Sequence, residues 1–223
     1  METLGTGPLP DALARVRREI VGCHRCPRLV SWREETADPD GWGAPVPGFG
    51  DPAAWIFLLG LATAAGGGDR VGRAFTGNRS ASFLVAALHR AGLANQATSE
   101  HVDDGLVLQR AWMASAVRCP PPGNRPTAAE RSACAGHLEA EWAALPGLRV
   151  VVALGGLAWG AALRCAGVRP LPAFAHGREL PLPTGTVLLG CYHPSPQNTN
   201  TGVVTGSMLD AVLLRARTLA GME

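Results

Sequence analysis

Four short runs of apolar residues stand out along this chain. They cover residues 54–60, 111–117, 148–154 and 186–191, and each is bounded by glycine, proline or polar residues. Continuous apolar runs of this length are typical of strands that are buried on both faces of a parallel sheet. The sequence therefore predicts four central strands.

The segments between these runs follow the period of a helix. Residues 10–22, 80–91, 157–165 and 207–219 are each predicted to be helical because their apolar side chains recur on one face. Residues 127–144 begin at Thr127 and carry Glu130 three positions later, which predicts a capping box. Alternating strands and helices predict an α/β fold, a three-layer α/β/α arrangement with a four-stranded, mostly parallel sheet. We expect one domain over residues 1–223.

The functional site is expected at one edge of this sheet. In sheets of this kind, ligands bind outside the carboxyl ends of the strands. The corresponding loops follow Leu59, Val117, Leu154 and Gly190. Residues 35–53, rich in glycine, proline and aspartate, are predicted to be an exposed loop, and residues 62–77 a long loop of small side chains.

Length and composition limit the class of protein that we expect. With 223 residues, 47% of them hydrophobic, the chain can bury a substantial core. Its start lacks the basic flank and apolar run of a signal peptide, and no stretch approaches the roughly 18 apolar residues of a membrane span. We expect a soluble, cytoplasmic protein. All 20 basic residues are arginine, which a GC-rich coding bias explains better than selection for phosphate contacts, although arginine suits phosphate well.

Four of the six cysteines form two pairs. Cys23 and Cys26 have the two-residue gap that lets two thiolates from one turn reach the same metal centre, while Cys119 and Cys134 come together only if the chain folds back. Four thiolates suit an iron–sulfur cluster or structural zinc, and disulfides are disfavoured in an intracellular protein. The spacing alone does not choose between iron and zinc. Cys165 and Cys191 lie in apolar runs and are expected to be buried free thiols.

The loop from Gly60 to Asn78 follows the first strand and opens a helix. Its small residues let the backbone approach a ligand, and the N–H groups at a helix start favour anions. The loop matches neither the phosphate-loop nor the dinucleotide fingerprint. Phe75, its only aromatic residue, either tucks into the core or forms a platform for a planar base.

The segment 191–202 follows the fourth strand. His193 leaves a buried strand and meets two prolines that stiffen the turn, so it is expected to face the same crevice as the glycine loop. The run 197–201 is polar and uncharged, and either enters a nucleic-acid groove or forms a solvated turn. His89, His101 and His137 are expected at the surface.

These residues carry a resemblance. The glycine loop ending in Phe-Thr-Gly and the segment His193-Pro-Ser-Pro resemble family 5 of the uracil-DNA glycosylase superfamily, over roughly residues 15 to 215. Residues 118–126 and 174–177 agree. The resemblance implies a uracil-DNA glycosylase-like fold and a monomer that flips a damaged base out of double-stranded DNA and hydrolyses its N-glycosidic bond. It also implies a 4Fe-4S cluster on the four paired cysteines, and a place among the nucleoid enzymes of a bacterium or archaeon.

The resemblance also implies residue roles. Phe75 matches the ring on which the flipped base stacks, and His193 matches the histidine that hydrogen-bonds the carbonyl oxygen of the base. The base-binding set implied is Phe75, Leu61, Ala62 and Ser115. The DNA-binding set implied is Asn124, Ser195, Asn198, Asn200 and Thr201. Leu61 and Ser115 stand where family 4 has an acidic residue and an asparagine, which fits the looser pocket and wider substrate range of family 5.

One departure concerns the catalytic position. Family 5 typically ends the glycine loop in Asp, which assists water attack, whereas this chain has Asn78, and Asp69 stands where the family usually has Asn. Three accounts are open: an engineered change, a natural Asn that positions water with slower turnover, or a carboxylate relocated to Asp69. We favour the natural Asn with weakened or redirected activity. The rival functions are a damaged-DNA binding protein and a nucleotide-binding enzyme.

Overall fold

A computed structural model describes residues 9–223, so the expectations that concern residues 1–8 lie outside it. Its sheet has six strands in the order β1-β3-β2-β4-β6-β5. The four central strands run parallel and the two edge strands pair antiparallel. The strands are β1 (Phe49–Gly50), β2 (Ile56–Ala62), β3 (Ala111–Val117), β4 (Val150–Leu154), β5 (Glu179–Pro181) and β6 (Val187–Cys191).

The α/β prediction is confirmed, with a larger sheet than expected. All four predicted strands form the parallel centre, because each is an apolar run that is covered on both faces. The edge strands β1 and β5 were not predicted. They are only two and three residues long and are held by their pairing with β3 and β6, so they leave no periodic pattern in the sequence.

Helices cover both faces of the sheet. They are α1 (Asp11–Val21), α2 (Pro27–Thr36), α3 (Gly68–Val71), α4 (Arg79–Arg90), α5 (Ala128–Ala143), α6 (Gly156–Cys165), α7 (Pro196–Asn200) and α8 (Gly206–Leu219). The predicted capping box at the start of α5 is confirmed, since Thr127 and Glu130 each bond to the other's backbone N–H. Helices α2, α3 and α7 were not predicted.

The core alternates along each central strand. Ile56 and Leu58 belong to the apolar cluster that also holds residues of α4 and α8, whereas Phe57 and Leu59 belong to the cluster that holds residues of α5 and α6. This alternation follows from the two-residue side-chain period of a strand. It makes the sheet a rigid support for the loops at its carboxyl edge.

Two expectations about exposure are wrong. Residues 45–48 are buried instead of forming part of an exposed loop, because the Gly48 N–H donates to Glu141 Oε1 (2.9 Å) and this segment leads into β1. A Cβ at Gly48 would lie 2.4 Å from Trp112 Nε1, so only glycine fits there. His137 is buried rather than at the surface, since it lies on the face of α5 that turns inward.

The topology places a crevice at the carboxyl edge. The chain passes from β2 to β3 on one side and then crosses to β4 on the other side of β2, so the direction of winding reverses there. Such switch points leave a gap between the loops that ligands commonly occupy. Within residues 9–223, no helix combines the length and apolarity needed to cross a bilayer.

Candidate active site

A cavity of about 300 Å³ opens at this carboxyl edge. It gathers residues from the ends of β2 and β3, from the glycine loop and from the segment after β6. The lining residues are Leu61, Ala62, Thr63, Ala64, Gly68, Phe75, Asn78, Ser80, Ser115, Asn124, His193, Ser195 and Pro196. Eight of these thirteen were among the site residues proposed from the sequence, so the cavity is the place where their chemistry meets.

Phe75 forms one wall of the cavity. Its ring lies over Gly60 at the end of β2, where an added Cβ would be 2.6 Å from Phe75 Cζ. Its backbone has φ of 52°, and its carbonyl accepts a hydrogen bond from Ser99 Oγ (2.9 Å). The ring also packs against the core. Phe75 therefore packs against the core, as one interpretation predicts, and also lines the cavity, where a platform for a base would have to lie.

Asn78 begins helix α4. Its Oδ1 accepts a hydrogen bond from the Ala81 N–H (3.0 Å), which makes it the N-cap of the helix, and its Nδ2 lies 3.5 Å from the Thr76 carbonyl. Asparagine and aspartate are similarly good N-caps. The helix start adds positive potential at this point, so the position favours an anion or a polarised water.

His193 leaves the end of β6 and lines the same cavity. Gly155, after β4, has φ of 96°, and a Cβ there would lie 3.4 Å from His193 Cβ. The His193 carbonyl accepts a hydrogen bond from Asn198 Nδ2 (2.8 Å), which fixes the backbone next to the ring. Burial lowers the pKa of His193, so the imidazole is neutral at neutral pH and carries one N–H donor.

Four further residues predicted from the sequence, which we call the floor, complete this part of the cavity lining. Leu61 and Ala62 supply apolar surface from β2, and Ser115, only 3% exposed, adds a hydroxyl from β3. Asn124 reaches the cavity from a 3-10 turn (Pro122–Asn124), where its φ of 57° turns the chain sharply. The floor is thus mostly apolar with two polar groups.

The proposed DNA-binding residues after His193 form a short helix instead of an open loop. Ser195 caps α7 and lines the cavity, while Asn198, Asn200 and Thr201 lie outside the cavity lining. Asn198 is tied to His193, and Asn200 Oδ1 accepts from Arg79 Nη2 (3.2 Å). Proline at the first helical position and the Ser195 cap favour the helix. Asn200 and Thr201 are exposed beside the crevice.

Asp69 is not among the residues that line the crevice cavity. Asp69 lies in α3, and its Oδ1 accepts from the Gly67 N–H (3.0 Å), so its carboxylate stabilises the start of its own short helix. It lines a separate cavity with Arg33, Asp38 and Arg70. Burial raises the pKa of its carboxyl above the ordinary value. Asp69 thus lies outside the lining that Asn78 and His193 share, and the relocated carboxylate stays the alternative to the favoured natural Asn78.

Sequence reasoning missed several residues around the crevice. Thr63 and Ser80 line the cavity but follow no motif, because small polar residues in a glycine-rich loop carry little signal. Leu157 and Val203 expose 46% and 43% of their surface on the segments after β4 and β6. Exposed apolar side chains on the same edge as a cavity are a recognisable sign of a binding surface, which only the fold reveals.

The four paired cysteines lie around a second, smaller cavity, and together with it they form what we call the cysteine site. Cys23 follows α1, Cys26 begins α2, Cys119 follows β3 and Cys134 lies in α5. All four are free thiols. Among residues 9–223, no group of three or more His, Cys, Asp or Glu side chains is arranged to hold a metal ion.

The chemistry of this second cavity fits a metal group. Burial raises the pKa of the Cys119 thiol to about 11 and also raises the pKa values of Cys26 and Cys134, so ionising these thiols together requires a cation between them. N–H groups already point at the sulfurs: Arg33 Nη1 lies 3.3 Å from Cys119 Sγ, and the Arg118 backbone N lies 3.4 Å from Cys134 Sγ. An all-sulfur donor set suits zinc or an iron–sulfur cluster.

Comparison with known proteins agrees with this geometry. A profile of the uracil DNA glycosylase superfamily matches residues 47–215. The chain is 51% identical over 212 residues to the type-5 uracil-DNA glycosylase of Mycobacterium tuberculosis, covering 90% of this chain and 79% of that protein. It is 47% identical to the type-5 enzyme of Mycobacterium leprae, covering 98% of both. The type-5 enzyme of Thermus thermophilus is 47% identical, over 91% of this chain and 96% of that protein.

The profile covers the residues that line the crevice cavity, and the match to the Mycobacterium leprae enzyme extends over 98% of this chain. The sequence resemblance in the glycine loop and after β6 is thereby confirmed. The chain belongs to the uracil DNA glycosylase superfamily and, within it, to the type-5 branch.

Proposed function

We propose that this protein is a monofunctional DNA glycosylase that hydrolyses the N-glycosidic bond of uracil, and of other deaminated bases, in double-stranded DNA. The observation that carries the proposal is one cavity lined by an aromatic ring, a neutral imidazole and a polar helix cap, at Phe75, His193 and Asn78. A base inside the duplex cannot reach such a cavity, so it must be flipped out, at least cost where it is mispaired. We propose a monomer that acts on chromosomal DNA in a bacterium or archaeon.

The residues of the cavity have separate tasks in this mechanism. Phe75 supplies the surface on which the flipped base stacks. As the bond between the base and C1′ of the sugar breaks, its electron pair leaves with the base and negative charge grows on the base carbonyl oxygen. The N–H of neutral His193 donates to that oxygen, and donors placed where charge develops are typically worth about 10² to 10³ in rate.

Asn78 has the task of placing the water. The water oxygen bonds to C1′, and the proton it releases ends on the departing base. Asn78 cannot take this proton, although its carbonyl can orient the water at the positive end of α4. Loss of a general base typically costs about 10² to 10⁴-fold in rate, so we propose slow but real turnover.

The Ser115 hydroxyl on the cavity floor bears on which bases the enzyme would accept. The Ser115 hydroxyl both donates and accepts hydrogen bonds, so it suits uracil and hypoxanthine alike. Leu61 adds no charge or hydrogen bond that would reject a larger base. We propose a permissive pocket on these grounds.

Contacts to the rest of the DNA are proposed on the segments beside the crevice. Asn124, Ser195, Asn200 and Thr201 offer uncharged donors and acceptors for phosphates, and Val203 is an exposed apolar side chain of the kind that fills a vacated base stack. Since the sequence contains no Lys, no lysine amine is present to form the Schiff base of a lyase, which supports a monofunctional enzyme.

We propose a 4Fe-4S cluster on Cys23, Cys26, Cys119 and Cys134, with a structural role. The cluster would supply a rigid link between these four cysteines and no step of the hydrolysis. Ala62 connects this site with the base cavity, because it lines that cavity and also packs against the buried cluster of Leu29, Val117 and Cys134, against which Cys26 and Cys119 pack too. The cysteine site thereby backs the wall of the cavity, and the chain after Cys119 leads directly to Asn124.

A single-turnover assay on a lesion panel tests the proposal. With protein in excess over duplexes that carry uracil, hypoxanthine or a normal base pair, we expect abasic product from uracil, and from hypoxanthine, with none from the normal pair. Alkaline cleavage of the labelled strand measures the product. Absence of abasic product from both lesions contradicts the glycosylase.

The second candidate is a damaged-DNA binding protein without cleavage. It is favoured by one observation: both polar atoms of Asn78 face backbone groups, Oδ1 the Ala81 N–H and Nδ2 the Thr76 carbonyl, so neither is reserved for water. In the same assay, this candidate predicts selective binding to lesion-bearing duplex and no abasic product.

A further inference from the structure

Three arginines surround the cysteine site. Arg25 and Arg118 line the cavity between the four thiols, and Arg33 reaches Cys119 from α2. Arg118, which is 1% exposed, already forms an ion pair with a carboxylate, since its Nη2 lies 2.8 Å from Glu141 Oε2. Arg25 donates to the Ala133 carbonyl and is exposed, so water solvates its charge. Of the three, Arg33 has the most unusual surroundings.

Arg33 is 5% exposed, and its Nη1 donates to Cys119 Sγ at 3.3 Å. Its Nε is buried without a partner. None of the ion pairs formed within residues 9–223 includes Arg33. Asp38 and Asp69 line a cavity next to it but stay beyond ion-pair distance, and Asp69 is engaged by the Gly67 N–H.

A buried arginine cannot shed its proton, so its charge must be compensated by an anion nearby. A neutral thiol does not provide that charge, whereas a metal-bound thiolate does. Four thiolates around a 4Fe-4S core of formal charge +2 carry a net charge of −2, and reduction by one electron makes it −3. The site therefore needs cations, and of the two buried arginines beside it, Arg33 and Arg118, Arg33 is the one that no carboxylate neutralises.

We propose that Arg33 is the counter-cation of the cysteine site, which retains the metal group and raises its reduction potential. The inference rests on the proposed 4Fe-4S cluster. A cation that donates to a ligand sulfur stabilises the more negative, reduced form, and hydrogen bonds to sulfur and local charge are known to tune such clusters. The arrangement thus assigns a role in binding and tuning to a residue outside the four ligands.

The test compares wild type with R33Q, R33K and R28Q. Arg28 is the matched control, because it lies on the same helix but pairs with Glu130 (2.7 Å) instead of sulfur. Iron and acid-labile sulfide per chain, the rate of iron loss to a chelator, and the midpoint potential with a one-electron chemical reductant are measured on the full-length protein. Thermal unfolding reports whether each variant folds.

We expect R33Q to lose iron several-fold faster and to disfavour the reduced state about tenfold, a midpoint about 59 mV more negative for a one-electron couple. R33K should fall between R33Q and wild type, because it keeps the charge without the planar fork. R28Q should match wild type.

Wild-type potential and wild-type iron retention in a folded R33Q overturn this inference and leave the cluster standing. If R33Q does not fold, R33K decides in its place, and an unchanged R33K overturns the inference. Wild-type protein without iron and sulfide overturns the cluster itself, whatever the variants do.

Discussion

At the level of single residues, the proposed mechanism depends on the protonation state of His193, because its N–H is the group that would donate to the departing base. Burial lowers its pKa, and the segment around it supplies no carboxylate that acts in the other direction. The neutral form therefore persists as the pH falls below about 6.5, the ordinary histidine value, and is lost only at a lower pH. Donation from a neutral imidazole needs no proton uptake before the reaction.

This assignment predicts a pH profile. Single-turnover uracil excision, measured between about pH 5 and about pH 9, should be level down past the ordinary histidine pKa and then fall as His193 protonates. In H193N, excision should be slower and its acid limb should disappear, because an amide donates without titrating. A wild-type rate that rises as the pH falls would show that the imidazolium is the donor.

At the scale of elements, the glycine loop is held by a buried ion pair. Arg73 lies two residues before Phe75 and bonds to Asp104 Oδ2 (2.7 Å), Ser99 Oγ (3.1 Å) and Thr76 Oγ1 (2.9 Å). Ser99 in turn donates to the Phe75 carbonyl. The loop that precedes α4 is thereby fastened to the segment 99–104, which sets the angle at which Phe75 enters the cavity.

Loss of this pair should be costly. Both side chains are nearly buried, at 6% and 8% exposure, so D104N is expected to destabilise the fold by about 3 kcal/mol and to weaken excision through a mispositioned Phe75. Urea unfolding and single-turnover excision measure the two effects. D210N is the matched control, because the Arg90–Asp210 pair is half-exposed and should contribute less than about 1 kcal/mol. Equal losses of unfolding free energy and of excision in D104N and D210N would contradict this role of the Arg73–Asp104 pair.

The same pair should resist acid. Although burial alone acts to raise the pKa of the Asp104 carboxyl, the bond from Arg73 and the N–H groups of Leu106 and Glu100 hold that pKa well below the usual range. A depressed folded-state pKa gives stability that is present above the unfolded value of about 3.9 and is lost only as the pH falls through the folded value. The Arg73–Asp104 pair therefore stays intact at any pH at which the enzyme would be assayed.

Some strands and helices could be predicted from local sequence patterns and others could not. Strands β2, β3, β4 and β6 and helices α4 and α5 were predictable because each has a run or a cap that works locally. Strand β1 was not, since Phe49 and Gly50 pair with β3 only after the sheet exists. Helix α7 was not predicted either, because Pro194 and Pro196 suggested a stiff turn, whereas Pro196 occupies the first position of the helix.

At the scale of the whole molecule, the motifs located the base cavity better than they located its surroundings. Phe75, Asn78 and His193 were found because each stands in a distinctive segment at the carboxyl edge. The position of Asp69 could not be predicted, because nine residues of sequence do not tell whether α3 turns its carboxylate toward or away from the crevice. Arg33 and His137 were missed because burial against another element leaves no local signal.

The base cavity and the cysteine site are neighbours in the fold. Ala62 belongs to the lining of the first and to the apolar cluster around the second. The segment from Cys119 to Asn124 connects them along the chain. The metal group that we propose would therefore keep the wall of the cavity in place from behind, while the chemistry stays with Phe75, Asn78 and His193.

In the mechanism that we propose, uracil is excised with Asn78, not a carboxylate, beside the water. The most direct test of this mechanism is the single-turnover rate of uracil excision for wild type, N78D and D69N. Aspartate keeps the cap of α4 and sits well at a helix start, so N78D should fold normally. We expect measurable wild-type excision, a rise of about 10²-fold or more in N78D, and little change in D69N. Loss of excision in D69N alone, with N78D unchanged, would contradict the account and make Asp69 the catalytic group.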